Sequence, residues 1–339
     1  MLRFPVHAMF MYILFFGTFV SISSPHWFGI WLGLELNMMS FIPIIVSNGS
    51  SYEVESGMKY FLIQAIGSSL ILFGSLFMYS LNGSWNFYNH TTINPIIFIA
   101  ILLKLGAPPL HFWLPDVIIG MSWTSSLILL TWQKMVPLFL LATFFHAPST
   151  PLTIICILSS IIGGVGGMNQ TSLRPLLAYS SIGHMGWILC GVLLTPVYGL
   201  IYFFIYSTIS CFIFFMLSSH ELSNTAQSFS LFNWPMSDRL TFMVLLLSLA
   251  GLPPLTGFLA KFAILMSLSS LKWFSFAPIL FIGSMMNLYY YLILIFCMLL
   301  SSPSWTSPTT SPTLKTLAIM FNFIGVVVLL LLPFITPYL

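Results

Sequence analysis

Charge is what this chain has least of. Nine Lys and Arg and six Asp and Glu among 339 residues are too few to coat a water-soluble fold. The slight positive balance also gives nucleic acid nothing to bind. Cysteine is nearly as scarce. Cys156, Cys190, Cys211 and Cys297 stand apart, without CxxC spacing or a nearby histidine cluster. That excludes a disulfide framework, a zinc site and an iron–sulfur site, and leaves small core residues in apolar segments. Nucleotide motifs are missing too. There is no P-loop, and Gly163-Gly-Val-Gly-Gly167 falls inside an apolar stretch rather than between a strand and a helix. The chain is therefore expected to bind neither nucleotide nor metal, and no residue is a candidate cofactor ligand.

What is present is hydrophobic length. With 58% of residues apolar, runs of about 20 apolar residues recur from end to end, each long enough to cross a bilayer as a helix. The expected fold is an all-α polytopic membrane protein, one membrane domain over 1–339, with eleven spans. They fall at 4–22, 26–47, 57–80, 93–116, 121–145, 151–168, 173–194, 197–219, 239–268, 274–300 and 315–335. The first is read as a retained helix, since no cleavage site follows it. Polar links are expected around Glu53 and Glu55, over 221–238 and over 301–308. Gly163 and Gly167, four apart, favour close helix contact. If the spans alternate sides, Arg3, Lys59, Arg174, Arg239 and Lys315 share one face and only Lys272 takes the other. Five against one puts the N-terminus in the cytoplasm, or in the matrix of a mitochondrion.

Two interruptions in this apolar sequence are nearly alike: Gly106-Ala-Pro-Pro-Leu110 and Gly251-Leu-Pro-Pro-Leu255, 145 residues apart and each with a lysine nearby. Pro108, Pro109, Pro253 and Pro254 remove backbone donors and break the helical ladder. Carbonyls freed at membrane depth persist only where water or neighbouring protein satisfies them. The breaks lie in spans four and nine. Five helices is an odd unit, so the second copy is inverted, with half-repeats at 26–145 and 171–300 and flanking helices at 1–22 and 315–335. Matched broken helices in inverted repeats are the sequence sign of a transporter-like ion path.

Four charged residues lie well inside spans: Glu35, Lys104, Lys134 and Lys261. A central charge costs roughly 2.5–3.5 kcal/mol on insertion scales, so four are too many to be incidental. Snorkelling or a static ion pair explains any one of them, but not the set. Three lysines and one glutamate in a low dielectric cannot all stay comfortably charged, so the row holds groups able to exchange a proton. A fixed cation path would not need that tuning. Which lysine pairs with Glu35 is open at this point, Lys104 being the natural candidate. His111, seven residues past Lys104, and His184, beside Ser180 and Ser181, are candidate relay members and equally serviceable as packing residues. His184 sits roughly where the repeat of Glu35 falls. Glu55 and Lys59 form an i,i+4 pair at a helix entrance, read as an interfacial pair or subunit contact.

At these residues the chain closely resembles a known family. The segments are Trp31-Leu-Gly-Leu-Glu-Leu-Asn37 with Ser40-Phe-Ile-Pro-Ile44, Glu55-Ser-Gly-Met-Lys-Tyr-Phe-Leu-Ile-Gln64, Lys104-Leu-Gly-Ala-Pro-Pro-Leu-His-Phe-Trp113 and Thr131-Trp-Gln-Lys134. Gly167-Met-Asn-Gln-Thr-Ser-Leu-Arg174, Ser180-Ser-Ile-Gly-His-Met-Gly-Trp187 and Gly251-Leu-Pro-Pro-Leu-Thr-Gly-Phe-Leu-Ala-Lys261 continue them in order. They resemble NADH-ubiquinone oxidoreductase chain 2, a family of mitochondrially encoded, antiporter-like subunits of respiratory complex I. The resemblance covers about 26–261; beyond that only hydropathy and length agree. It implies a proton-translocating subunit of the membrane arm in the mitochondrial inner membrane, in contact with other membrane-arm subunits and lipids. Glu35 and Lys104 would be the coupled pair of one half, Lys134 the central link and Lys261 the group on the second broken helix. Flavin, iron–sulfur clusters and ubiquinone would belong to other subunits. Animal members resemble a larger bacterial subunit shortened by three N-terminal helices. The related chain 4 carries glutamate where Lys261 stands. A free-standing cation/proton antiporter of the same ancestry is the alternative, and a non-pumping scaffold a third.

Overall fold

The structure, a computed structural model, describes residues 3–83, 85, 94–144, 150–220, 234–270, 276–300, 313–322 and 325, and nearly all of them are helical. By its internal contacts the chain divides into two compact units, Met1–His146 and Ala147–Leu339. Among the described residues eight helical stretches are long and apolar enough to cross a membrane. The expected fourth and ninth spans are instead pairs of shorter helices around the Pro-Pro sequences. Of the last expected span only 313–322 and 325 are described. Lys272, the 221–233 part of the polar link and the 301–308 loop lie outside the described residues.

In the first unit α1 (Arg3–Ser23) packs against α2 (Trp27–Ile45), and α2 against the long α3 (Ser51–Asn82). The broken span follows as α4 (Pro95–Leu105) and α5 (Trp113–Gly120), both lying on α3. Asn94 caps α4 by accepting from the Ile96 N–H at 3.0 Å, with Pro95 at the first helical position, where a missing donor costs nothing. The expected fifth span is α6 (Trp123–Leu130), a 3₁₀ turn over Trp132–Lys134, and α7 (Met135–Phe144). Thr131 Oγ1 donates back to the Leu127 carbonyl at 2.7 Å, and Pro137 lacks the N–H that would continue the ladder. The tight turn therefore sits mid-span, directly under Lys134.

The third span starts earlier than its polar residues led us to expect. Ser50 Oγ accepts from the Glu53 N–H at 3.3 Å, and Glu53 accepts from Asn48 Nδ2 at 2.9 Å. Ser-x-x-Glu is an N-terminal capping pattern, so Glu53 and Glu55 belong to the helix rather than to a link.

In the second unit α9 (Leu173–Leu194) is the central helix, with nearly every residue buried between α8 (Thr150–Met168) and α10 (Pro196–Ser219). Gly163 makes the α8–α9 contact: a Cβ there would run into the backbone of Gly183. The second broken span is α11 (Met236–Ala250) and α12 (Thr256–Ser270), followed by α13 (Ala277–Leu300). Helix α14 (313–322) closes the described part.

Asp238, expected in the polar link, belongs with Arg239 to the buried first turn of α11. The Asp238 carboxylate accepts from His220 Nε2 at 3.1 Å and pairs with Lys315 of α14. Arg239 donates from Nε to the Trp234 carbonyl at 2.9 Å and from Nη1 to the Met298 carbonyl at 3.1 Å. Paired in this way, both charges can leave water at the mouth of the unit.

Candidate proton-relay site

The two breaks share one backbone device. Gly106 (φ 67°) and Gly251 (φ 77°) take the left-handed conformation that a side chain opposes, and each ends its helix. Ala107 N–H reaches back to the Leu102 carbonyl at 3.1 Å, and Leu252 N–H to that of Leu247 at 3.3 Å. The turn closes with Leu110 N–H on Ala107 (3.0 Å) and Leu255 N–H on Leu252 (2.9 Å), across a cis Pro-Pro bond in each case. Every one of these partners is 145 residues from its counterpart.

The side chains then diverge. In the first unit the Leu103 carbonyl, which takes the Gly106 N–H at 3.1 Å, also accepts from Trp113 Nε1 at 3.1 Å. Lys104, 7% exposed in the last turn of α4, is left to face a cavity that it shares with Lys134, 2% exposed in the 3₁₀ turn. Asn37, Tyr60, Gln64, Trp113 and Gln133 complete the polar wall. The cavity leaves about 20 Å³ for the centre of a water molecule, room for one. Glu35 is half-buried on the same helix as Asn37 but lines a different, largely apolar groove between α2 and α3. Met38 borders both spaces. Glu35 bears on Lys104 electrostatically but forms no ion pair with it. The structure thus brings Lys104 and Lys134 together and holds Glu35 one side chain away. His111, buried in the turn, points Nδ1 at the Pro109 carbonyl at 3.3 Å and does not line the cavity.

In the second unit the lysine follows its break. Lys261 of α12 reaches back to donate from Nζ to the carbonyl of Ala250, the last residue of α11, at 2.6 Å. Its ammonium also stands 5.8 Å from the centre of the Trp187 ring on α9. A cation at a helix C-terminus completes the freed carbonyls and meets the negative end of the dipole. His184 pairs Nδ1 with the Tyr202 hydroxyl at 3.0 Å, packs on Tyr206 and shares a small cavity with Ser248, Gly257 and Ala260. So His184 faces the second break.

Sequence reasoning missed Asn37 and Gln133, although a polar amide inside an apolar span was the available signal. Trp113 and Trp187, as donor and ring partner, could not be told from aromatic core. Among the described residues no group of three His, Cys, Asp or Glu side chains could hold a metal ion.

Known proteins agree with this architecture. The transmembrane family model of NADH:quinone oxidoreductases and Mrp antiporters matches residues 24–287. NADH-ubiquinone oxidoreductase chain 2 of Anopheles gambiae is 38% identical over 325 residues, covering 94% of each chain. That of Lemur catta is 37% identical, over 94% of this chain and 91% of its own. A chain in the structure of respiratory complex I from Thermus thermophilus superposes on 97% of this chain and 79% of its own with a TM-score of 0.82, at 24% identity, which speaks for the fold. With the broken helices, the buried lysines and these relatives together, the chain belongs to the NADH-ubiquinone oxidoreductase chain 2 family.

Proposed function

We propose that this chain moves protons through the membrane arm of respiratory complex I, as one subunit of the NADH:ubiquinone oxidoreductase. The observation that carries the reading is the cavity shared by Lys104 and Lys134 beside a broken helix. Two buried amines around space for one water can pass a proton from one to the other without exposing charge to lipid. Glu35 sets the field at Lys104 from across Met38, and Lys261, held on the broken end of α11, is the terminal amine of the second unit. His184 is its neighbour at the break. Electron transfer, with its flavin, iron–sulfur clusters and quinone, is the work of other subunits. In this reading the half-repeats 26–145 and 171–300 are inverted within eleven spans. The N-terminus faces the matrix of the mitochondrial inner membrane, as the loop charges require.

A free-standing cation/proton antiporter would need the same lysines and breaks. Membership of the chain 2 family favours the subunit, and a stable solitary protein exchanging Na⁺ would reverse that preference. The deciding measurement is made on assembled complex in sealed vesicles. Lys104→Met and Lys261→Met are expected to impair NADH-driven proton transport while assembly persists. A fully assembled complex that keeps its proton/electron ratio with both lysines gone would falsify the relay.

A further inference from the structure

Gln133 occupies a position for which the relay as described has no use. It precedes Lys134 in the 3₁₀ turn, where three residues per turn fan the side chains apart, yet both line the same cavity. Both ends of its amide are engaged by other helices. Nε2 donates to Asn37 Oδ1 of α2 at 2.8 Å, and Oε1 accepts from the Tyr60 hydroxyl of α3 at 3.4 Å. Those partners are themselves fixed. Asn37 and Tyr60 are each 2% exposed, and the Tyr60 ring packs edge-on against Phe41 and beside Trp113. Trp113 in turn holds the Leu103 carbonyl next to Lys104. A continuous frame, Trp113–Tyr60–Gln133–Asn37, therefore runs around the cavity from the broken helix to the turn that carries Lys134.

We infer that Gln133 is the positioning residue for proton transfer between Lys104 and Lys134, its amide locked by Asn37 and Tyr60 at the wall of the cavity the amines share, with the second lone pair of its carbonyl open to accept. This rests on the relay proposed above. An amide suits the task because it accepts a hydrogen bond from an ammonium or a water and carries no charge of its own. A carboxylate in its place would hold the proton on the neighbouring lysine, and a hydrocarbon would leave the transferring group without an acceptor. The titratable groups facing this space are Lys104, Lys134 and Tyr60, with Glu35 acting on Lys104 from beyond Met38.

The test compares Gln133→Leu, Gln133→Glu, Tyr60→Phe and Lys104→Met in assembled complex in sealed vesicles. Rates are normalised to NADH oxidation by a water-soluble acceptor. Gln133→Leu is expected to slow coupled turnover about tenfold, the scale of two modest hydrogen bonds lost together. Gln133→Glu should move the pH profile of coupled turnover about one unit to the alkaline side, because more base is needed to free the retained proton. Tyr60→Phe keeps the ring and removes the hydroxyl that holds Gln133, for a fall of about threefold, in line with one modest hydrogen bond. If Gln133→Leu does not assemble, the Gln133→Glu profile and the Tyr60→Phe rate decide. The inference is overturned if rate per complex and pH profile stay as in the parent while only the amount of complex falls. Should Lys104→Met abolish coupling and the Gln133 and Tyr60 variants leave it intact, this inference alone is lost. Coupling that survives Lys104→Met as well would remove the relay itself.

Discussion

The two broken helices are alike in backbone and unlike in what their lysines do. Each ends on a left-handed glycine, folds back through the same pair of hydrogen bonds and turns at a cis Pro-Pro bond. In the first unit Trp113 adds an indole donor to the Leu103 carbonyl, which already takes the Gly106 N–H, and the Lys104 side chain lines the cavity. In the second unit Lys261 itself satisfies the carbonyl of Ala250. The residues standing in for each other sharpen the contrast. Leu249, apolar and buried, holds the place of Lys104, while an exposed Asp116 holds the place of Lys261. One backbone device thus supports a lysine before the break that faces another lysine, and a lysine after it that is anchored to the helix end. The lesson is that repetition preserved the break, and the chemistry was set by which side of it carries the lysine.

The largest effect that would break this comparison is expected from the lysines. Lys104→Met and Lys261→Met should each lower coupled proton transport on the order of a hundredfold, the usual scale for a lost acid–base group. They should part in thermal unfolding. Lys261→Met orphans the Ala250 carbonyl at a cost of about 1–3 kcal/mol, whereas Lys104→Met leaves the Trp113 bond in place. Equal melting temperatures for the two variants would mean that carbonyl capping is not what distinguishes the units.

Next come the glycines. Gly106→Ala and Gly251→Ala each force a side chain into the left-handed region for about 1–2 kcal/mol. Only the second should cut coupling as well, because its new Cβ would lie 2.8 Å from Lys261 Nζ, while that of Gly106 meets Leu114 Cδ1 at 2.9 Å. Coupled rate per assembled complex separates them. A smaller effect follows from Trp113→Phe, which writes the second unit's Phe258 into the first. Losing one neutral donor should cost about 1 kcal/mol and slow coupled turnover a few-fold, read from the same two assays.

The smallest concerns an anchor of the second unit. Burial holds the His220 imidazole below its ordinary value, with the Asp238 carboxylate opposing. The folded site resists a proton that the unfolded chain accepts. Stability contributed there is whole above the ordinary histidine range and declines as the pH falls through it toward the lower folded value. A melting temperature that drops slightly on acidification, and does so less in His220→Gln, is the expected record.

Much of this was legible before any coordinates, and the reasons are local. A bilayer demands about 20 apolar residues per helix, so span positions follow from composition along the chain. Gly followed by Pro-Pro ends a helix wherever it occurs. A charge inside a span must be sheltered, which picked out Glu35, Lys104, Lys134 and Lys261; the three lysines are buried and Glu35 is half-buried. Where local rules were misread, at Ser50 and Glu53, the capping pattern was there to be seen.

What the sequence by itself determined, then, is the membrane class, the breaks and the list of groups able to exchange a proton. Only the tertiary structure decided how they are arranged. It put Lys104 and Lys134 around one cavity and Glu35 on the far side of Met38, drew Gln133 between Asn37 and Tyr60, and turned Lys261 back onto Ala250. The Lys104–Lys134, Gln133–Asn37 and Gln133–Tyr60 pairings join residues on different elements dozens of positions apart. Along the chain a lysine near a Pro-Pro break looks the same in both halves. In space they part: Lys104 faces a cavity shared with Lys134, and Lys261 is turned back onto the carbonyl that ends its broken helix.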